Sequence, residues 1–168
     1  QDNRIENAQV AYKKALAINP NSAEVCNNLG SIAKDTEDWE SARKYFEQAI
    51  TIKPDLAEAH SNLGNTLIEL GRLEDAEASY RKAIASKPDF AEAHSNLGNT
   101  LKELGRAEDA LVTVIQSIII KPSVEAKSLF IDLTKKISIQ TWDQSLVQLV
   151  ITALLEPWGR PSDLMPIA

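Results

Sequence analysis

Apolar positions along the chain recur at intervals of three and four residues, the spacing that gathers side chains on one face of a helix. Leu63, Leu67 and Leu70 make one such stripe, and Ala76, Tyr80, Ala83 and Ile84 make the next. Gly71 stands between them, and glycine ends a helix because it enters the left-handed conformation without steric penalty. Pro88 closes the second stripe, since proline has no N–H to continue the hydrogen-bond ladder. Asp89 offers a carboxylate near the start of the next helix. The pattern predicts a helix-turn-helix hairpin.

The same hairpin is spelled more than once. AEAHSNLGNT occupies 57–66 and again 91–100, an interval of 34 residues. Glu69-Leu70-Gly71-Arg72 returns as Glu103-Leu104-Gly105-Arg106, and Lys53-Pro54, Lys87-Pro88 and Lys121-Pro122 keep the same interval. Three repeats follow, at 23–56, 57–90 and 91–124. Residues 1–22 read as a half repeat, the second helix of a preceding hairpin, because Ala8, Tyr12, Ala15 and Pro20 match Ala42, Phe46, Ala49 and Pro54. A period of this length marks stacked supersecondary units. The first repeat has Glu37 where the others have glycine, which predicts a looser or differently built turn. Gly30, Gly64 and Gly98 fall mid-helix, where glycine costs about 1 kcal/mol against alanine. With Ala42, Ala76 and Ala110 they let the two helices of a pair approach closely.

Leu-Gly at places seven and eight, Ala at twenty, an aromatic at twenty-four, Ala at twenty-seven and Pro at thirty-two resemble the tetratricopeptide repeat. The second repeat matches through Leu63, Gly64, Ala76, Tyr80, Ala83 and Pro88, the first through Leu29, Gly30, Ala42, Phe46, Ala49 and Pro54. The third departs late, with Val114 and Ser117. The fourth place, often tryptophan in that family, holds Cys26, His60 and His94. The resemblance implies an all-α fold, a right-handed superhelical solenoid whose first helices line a concave wall. It carries little about function, since one scaffold hosts many partners.

Composition narrows the classes. The 168-residue chain has a formal net charge of −6, which argues against nucleic acid and anionic membrane as partners. One cysteine excludes a disulfide framework. No run of 18 apolar residues suggests a span, and the expectation is a soluble, cytoplasmic protein. The chain begins inside a half repeat, the pattern expected of a piece of a longer protein. No phosphate loop, nucleophile motif or metal-ligand cluster is present, so the chain reads as not an enzyme, with no cofactor and no metal. His60 and His94 lie one repeat apart, with stacked helices roughly 10 Å from each other. They are expected to pack between helices rather than share a zinc ion. Cys26 is expected to act as a small buried hydrophobe.

The candidate site is a set of polar positions. Asn28, Asn62 and Asn96 occupy place six, Ser31, Asn65 and Asn99 place nine, and Asp35, Glu69 and Glu103 place thirteen. Offsets of three and seven share one helical face, apart from the leucine stripe. Asparagine is a mediocre helix former, and its amide offers two donors and one acceptor without charge. It can hold the main chain of an extended peptide whatever the ligand's side chains. The arrangement is similar to the asparagine ladder in the repeat region of O-GlcNAc transferases, which implies polypeptide contacts for Asn28, Asn62 and Asn96. Places two and five, basic in repeats that clamp chaperone tails, are Glu24, Glu58, Glu92 and Asn27, Ser61, Ser95 here. The expected function is a protein-interaction scaffold for a neutral or basic peptide. The alternative is the substrate-recruiting or regulatory part of a larger bacterial glycosyltransferase or methyltransferase. Self-association through the array ends is a third reading.

After Pro122 the repeat is lost. The helix ALVTVIQSIII at 110–120 is apolar on nearly all sides, yet a terminal helix should be polar outside. Residues 125–168 are therefore expected to supply a cap: a helix at 124–138 started by Ser123, and another at 142–156 started by Thr141 and stopped by Pro157. Leu129, Leu133, Leu146, Val150 and Leu154 are expected to face the array.

Overall fold

The structure, a computed structural model, describes residues 2–136. The expected helix at 142–156, with Leu146, Val150 and Leu154, lies outside the described residues. Among the described residues there are eight helices and no strand. Helix α1 (Asp2–Ile18) precedes three hairpins: α2 (Ala23–Asp35) with α3 (Trp39–Ile52), α4 (Ala57–Glu69) with α5 (Leu73–Ser86), and α6 (Ala91–Glu103) with α7 (Ala107–Ile120). Helix α8 (Val124–Lys136) follows. The chain divides into two compact units, Gln1–Pro88 and Asp89–Ala168. In the first, α1 packs on α2, α2 pairs with α3, α3 packs on α4, α4 pairs with α5, and α2 also touches α4. In the second, α6 pairs with α7, and α8 packs on α7 and touches α6.

The mid-helix glycines are explained by one aromatic ring each in the first two hairpins. A Cβ on Gly30 would lie 2.6 Å from Phe46 Cε1, and one on Gly64 would lie 2.5 Å from Tyr80 Cε1. Both rings are buried. Place eight must be empty because place twenty-four is full. In the third hairpin Val114 Cγ2 takes the ring's position against Gly98.

The inter-helix turns correct the reading of Glu37. Gly71 and Gly105 adopt φ of 70° and 76°, and Glu37 adopts 59°. The closing bonds are the same. Glu37 N–H donates to Lys34 O at 3.0 Å and Asp38 N–H to Ala33 O at 2.8 Å, where Gly71 and Arg72 donate to Ile68 O and Leu67 O at 2.9 and 2.8 Å. The first turn is therefore not looser; it is the same turn carried by a residue with a Cβ. The helix that follows differs. Asp38 accepts from Ser41 N–H at 3.2 Å, and the Ser41 hydrogen bonds hold its carboxyl below the usual range. In the later hairpins Arg72 and Arg106 stand at this place and pair with Asp75 and Asp109.

Asp89 stands near the start of α6, as its place in the sequence indicates, one residue before the N-cap. The residue capping α6 is Phe90, whose side chain makes no cap bond, and Leu56 stands likewise before α4. Ser22 caps α2 through Val25 N–H, and Ser123 caps α8 through Ala126 N–H at 3.1 Å.

Within the second unit α7 buries Leu111, Val114, Ile115 and Ile118, and α8 buries Ala126, Leu129, Phe130 and Leu133. Val112 and Ile119 of α7 stay 41 % and 40 % exposed.

Candidate functional site

Helices α2, α4 and α6 each carry the asparagine of place six. Asn28, Asn62 and Asn96 are all half-buried, so packing fixes the stems while part of each side chain meets solvent. Asn62 Nδ2 donates to Asn27 Oδ1 at 3.2 Å, which ties α4 to α2 through two amides. Asn27 was not among the sequence candidates. Place five is Asn27 in one repeat and serine in the other two, and that irregularity was the available signal.

Place nine has divided roles. Asn65 Oδ1 accepts from the Tyr80 hydroxyl at 2.7 Å, so this amide serves the buried ring of its own hairpin. Asn99 is exposed, and Val114 opposite has no hydroxyl to offer it. Ser31 is half-buried and donates to Asn27 O at 3.1 Å. Glu69 and Glu103 at place thirteen are exposed, as is Asp35. Glu24 lies 3.9 Å from Lys53 and Glu58 lies 3.8 Å from Lys87, so the acidic place two is countered by a lysine of its own repeat. In the third repeat Glu92 and Lys121 instead line an open cavity of about 270 Å³, shared with Ser95, Asn96 and Glu125.

At the fourth place Cys26 and His60 are buried and His94 is half-buried. His60 is buried, with Nε2 2.8 Å from Pro54 O. A carbonyl oxygen only accepts, so Nε2 carries the proton. Cys26 is fully buried beside Ala49 and Ala59, and burial pushes its thiol up. Among the described residues no three His, Cys, Asp or Glu side chains converge on a metal position. No described helix is long and apolar enough to cross a membrane.

Comparison with known families decides the class. The TPR repeat family matches residues 64–105, and two tetratricopeptide repeat families match 33–79 and 1–22. The chain is a tetratricopeptide-repeat protein. A comparison with curated proteins finds no match. Among solved structures, the TPR protein is similar to MamA, with a TM-score of 0.75 at 23 % identity over 91 % of this chain and 88 % of that one. It is similar to the TPR domain of Arabidopsis OM64, with a TM-score of 0.67 at 23 % identity over 68 % of this chain and 96 % of that one. It is also similar to the first TPR of Spaghetti (RPAP3) bound to the HSP90 peptide SRMEEVD, with a TM-score of 0.66 at 17 % identity over 68 % and 91 %. At these identities the likeness concerns the fold of the TPR hairpins, and the side chains that would face a ligand must be read from this chain alone.

Proposed function

We propose that this TPR protein binds an extended polypeptide segment by its main chain, without catalysis, through Asn28 and Asn62 in the first unit and Asn96 in the second. The observation that carries the reading is the recurrence of a half-buried, uncharged amide at one place of three successive first helices. A peptide group needs an acceptor for its N–H and a donor for its C=O, and one amide side chain supplies both. Ser31, Asn65 and Glu69 would flank these amides in the first unit, and Asn99 and Glu103 would do so in the second. Asn65 contributes less to a ligand, since its carbonyl already serves Tyr80.

The fold's capacity for peptides is supported by the Spaghetti neighbour, whose ligand SRMEEVD carries three acidic side chains and a terminal carboxylate. Glu24, Glu58 and Glu92 would meet such a ligand here with like charge. SRMEEVD is therefore expected not to bind, and neutral or basic peptides are.

The test starts from peptides of about twelve residues selected by display on the purified chain, a length that spans roughly 40 Å when extended. Asn62→Ala with Asn96→Ala removes two neutral hydrogen-bonding groups, each worth about 0.5–1.5 kcal/mol. Calorimetry should show binding weakened by about 5- to 150-fold at a temperature where the variant, checked by its melting curve, is still folded. Unchanged affinity of the double variant for the selected peptides would overturn the reading.

A further inference from the structure

Two side chains of the first unit form a couple that a regular ladder does not contain. Asn62 Nδ2 donates to Asn27 Oδ1 at 3.2 Å across α4 and α2. Each amide has one carbonyl and two N–H groups. The mutual bond uses one N–H of Asn62 and one lone pair of Asn27. The Asn27 NH2 and the Asn62 carbonyl are not used in it. Both side chains are half-buried, so part of each still meets solvent. A peptide group is the complement of this pair, with one N–H for the carbonyl and one C=O for the NH2.

We infer that the Asn27–Asn62 couple is a seat for one peptide group of the ligand, with Asn62 Oδ1 accepting its N–H and Asn27 Nδ2 donating to its C=O. The inference rests on the peptide-binding reading above, and it adds Asn27 and a register to it. Reversing which amide donates merely exchanges the two roles, because the couple always keeps one carbonyl and one NH2 outside its own bond. The mutual bond also holds both side chains oriented before the ligand arrives, so less rotamer freedom is lost on binding. Ser61 and Ser95 stand at the place of Asn27 in the other two repeats, so two amides can join in this way at one junction only. A ladder of equal rungs lets an extended chain slide by a residue or two. One rung of different build gives the ligand a defined register.

The experiment uses a peptide selected as above, remade with an ester in place of each amide in turn, so that one N–H is lost and one C=O weakened per variant. Among the ester positions that weaken binding to the wild-type chain, one should lose its penalty in Asn62→Ala. Asn27→Ser, which installs the residue of the other two repeats, should weaken the parent peptide by about 2- to 13-fold while the chain stays folded, with binding measured well below its melting temperature. If Asn27→Ser binds as tightly as wild type, or the ester penalties are the same in Asn62→Ala, the couple is only a tie between two helices. The peptide-binding reading would then still stand on the Asn62→Ala, Asn96→Ala result. If that double variant binds the peptide unchanged, the reading and the inference fall together.

Discussion

Glu37 shows how a single residue can occupy a place made for another. Its φ of 59° is in the left-handed region, where a Cβ costs roughly 1–2 kcal/mol. Two backbone bonds and the Asp38 cap hold it there. Glu37→Gly removes the strain but gives the unfolded chain more freedom, a loss of about 0.5–1 kcal/mol. The net expectation is a gain of about 0–1.5 kcal/mol, or up to about 6 °C in melting temperature by circular dichroism. A fall in melting temperature would contradict the strain argument. Gly64 is the opposite case. Alanine there gains about 1 kcal/mol of helix propensity. Its Cβ would lie 2.5 Å from a Tyr80 ring that is buried and bonded through its hydroxyl to Asn65. Overpacking of this kind costs about 1–3 kcal/mol, so Gly64→Ala should destabilise by up to about 2 kcal/mol in denaturant unfolding. A more stable variant would mean that the ring can move aside.

At the scale of the element, α7 and α8 depend on each other. Leu133 is fully buried, in company with Leu129 and Phe130 on the same helix. Leu133→Ala should cost about 2–5 kcal/mol, and hydrogen exchange should rise in α6, α7 and α8. An unchanged melting temperature with unchanged exchange would show that α8 adds nothing to α7. The hairpins themselves were legible in the sequence, because leucine stripes, glycine stops and Lys-Pro ends repeat at a fixed interval. Two features were not. The turn at Glu37 looked unlike its counterparts because residue identity predicts strain but not whether neighbours will sustain it. The Asn27–Asn62 couple joins place five of one helix to place six of the next. Periodicity reports which residues share a face of one helix, and it is silent on the offset at which two helices meet. The exact cap of α6 was not legible either: Asp89 is near the helix start, but the N-cap is Phe90, whose side chain makes no cap bond.

At the scale of the whole molecule, charge should tune a recognition that is neutral at its core. The formal net charge is −6, while the proposed contacts are uncharged amides. The glutamates of place two in the first two repeats are exposed and only loosely paired, at 3.9 and 3.8 Å from their lysines. Exposed pairs of this kind contribute at most about 1 kcal/mol each. A lysine introduced into a bound peptide should therefore improve affinity by no more than about fivefold, and a glutamate should weaken it by a similar factor. The gain should appear mainly as faster association, because long-range attraction steers encounter more than it holds the complex. Raising ionic strength from about 0.01 to 1 M shortens the Debye length from roughly 30 to 3 Å, so the lysine and glutamate peptides should converge on the affinity of the neutral one. The neutral peptide should change little over the same range, since its bonds involve no net charge. Surface plasmon resonance on the three peptides at both salts separates the rates. Tighter binding of the glutamate peptide, or a neutral peptide that loses most of its affinity in salt, would mean that ionic contacts rather than amides carry the interaction.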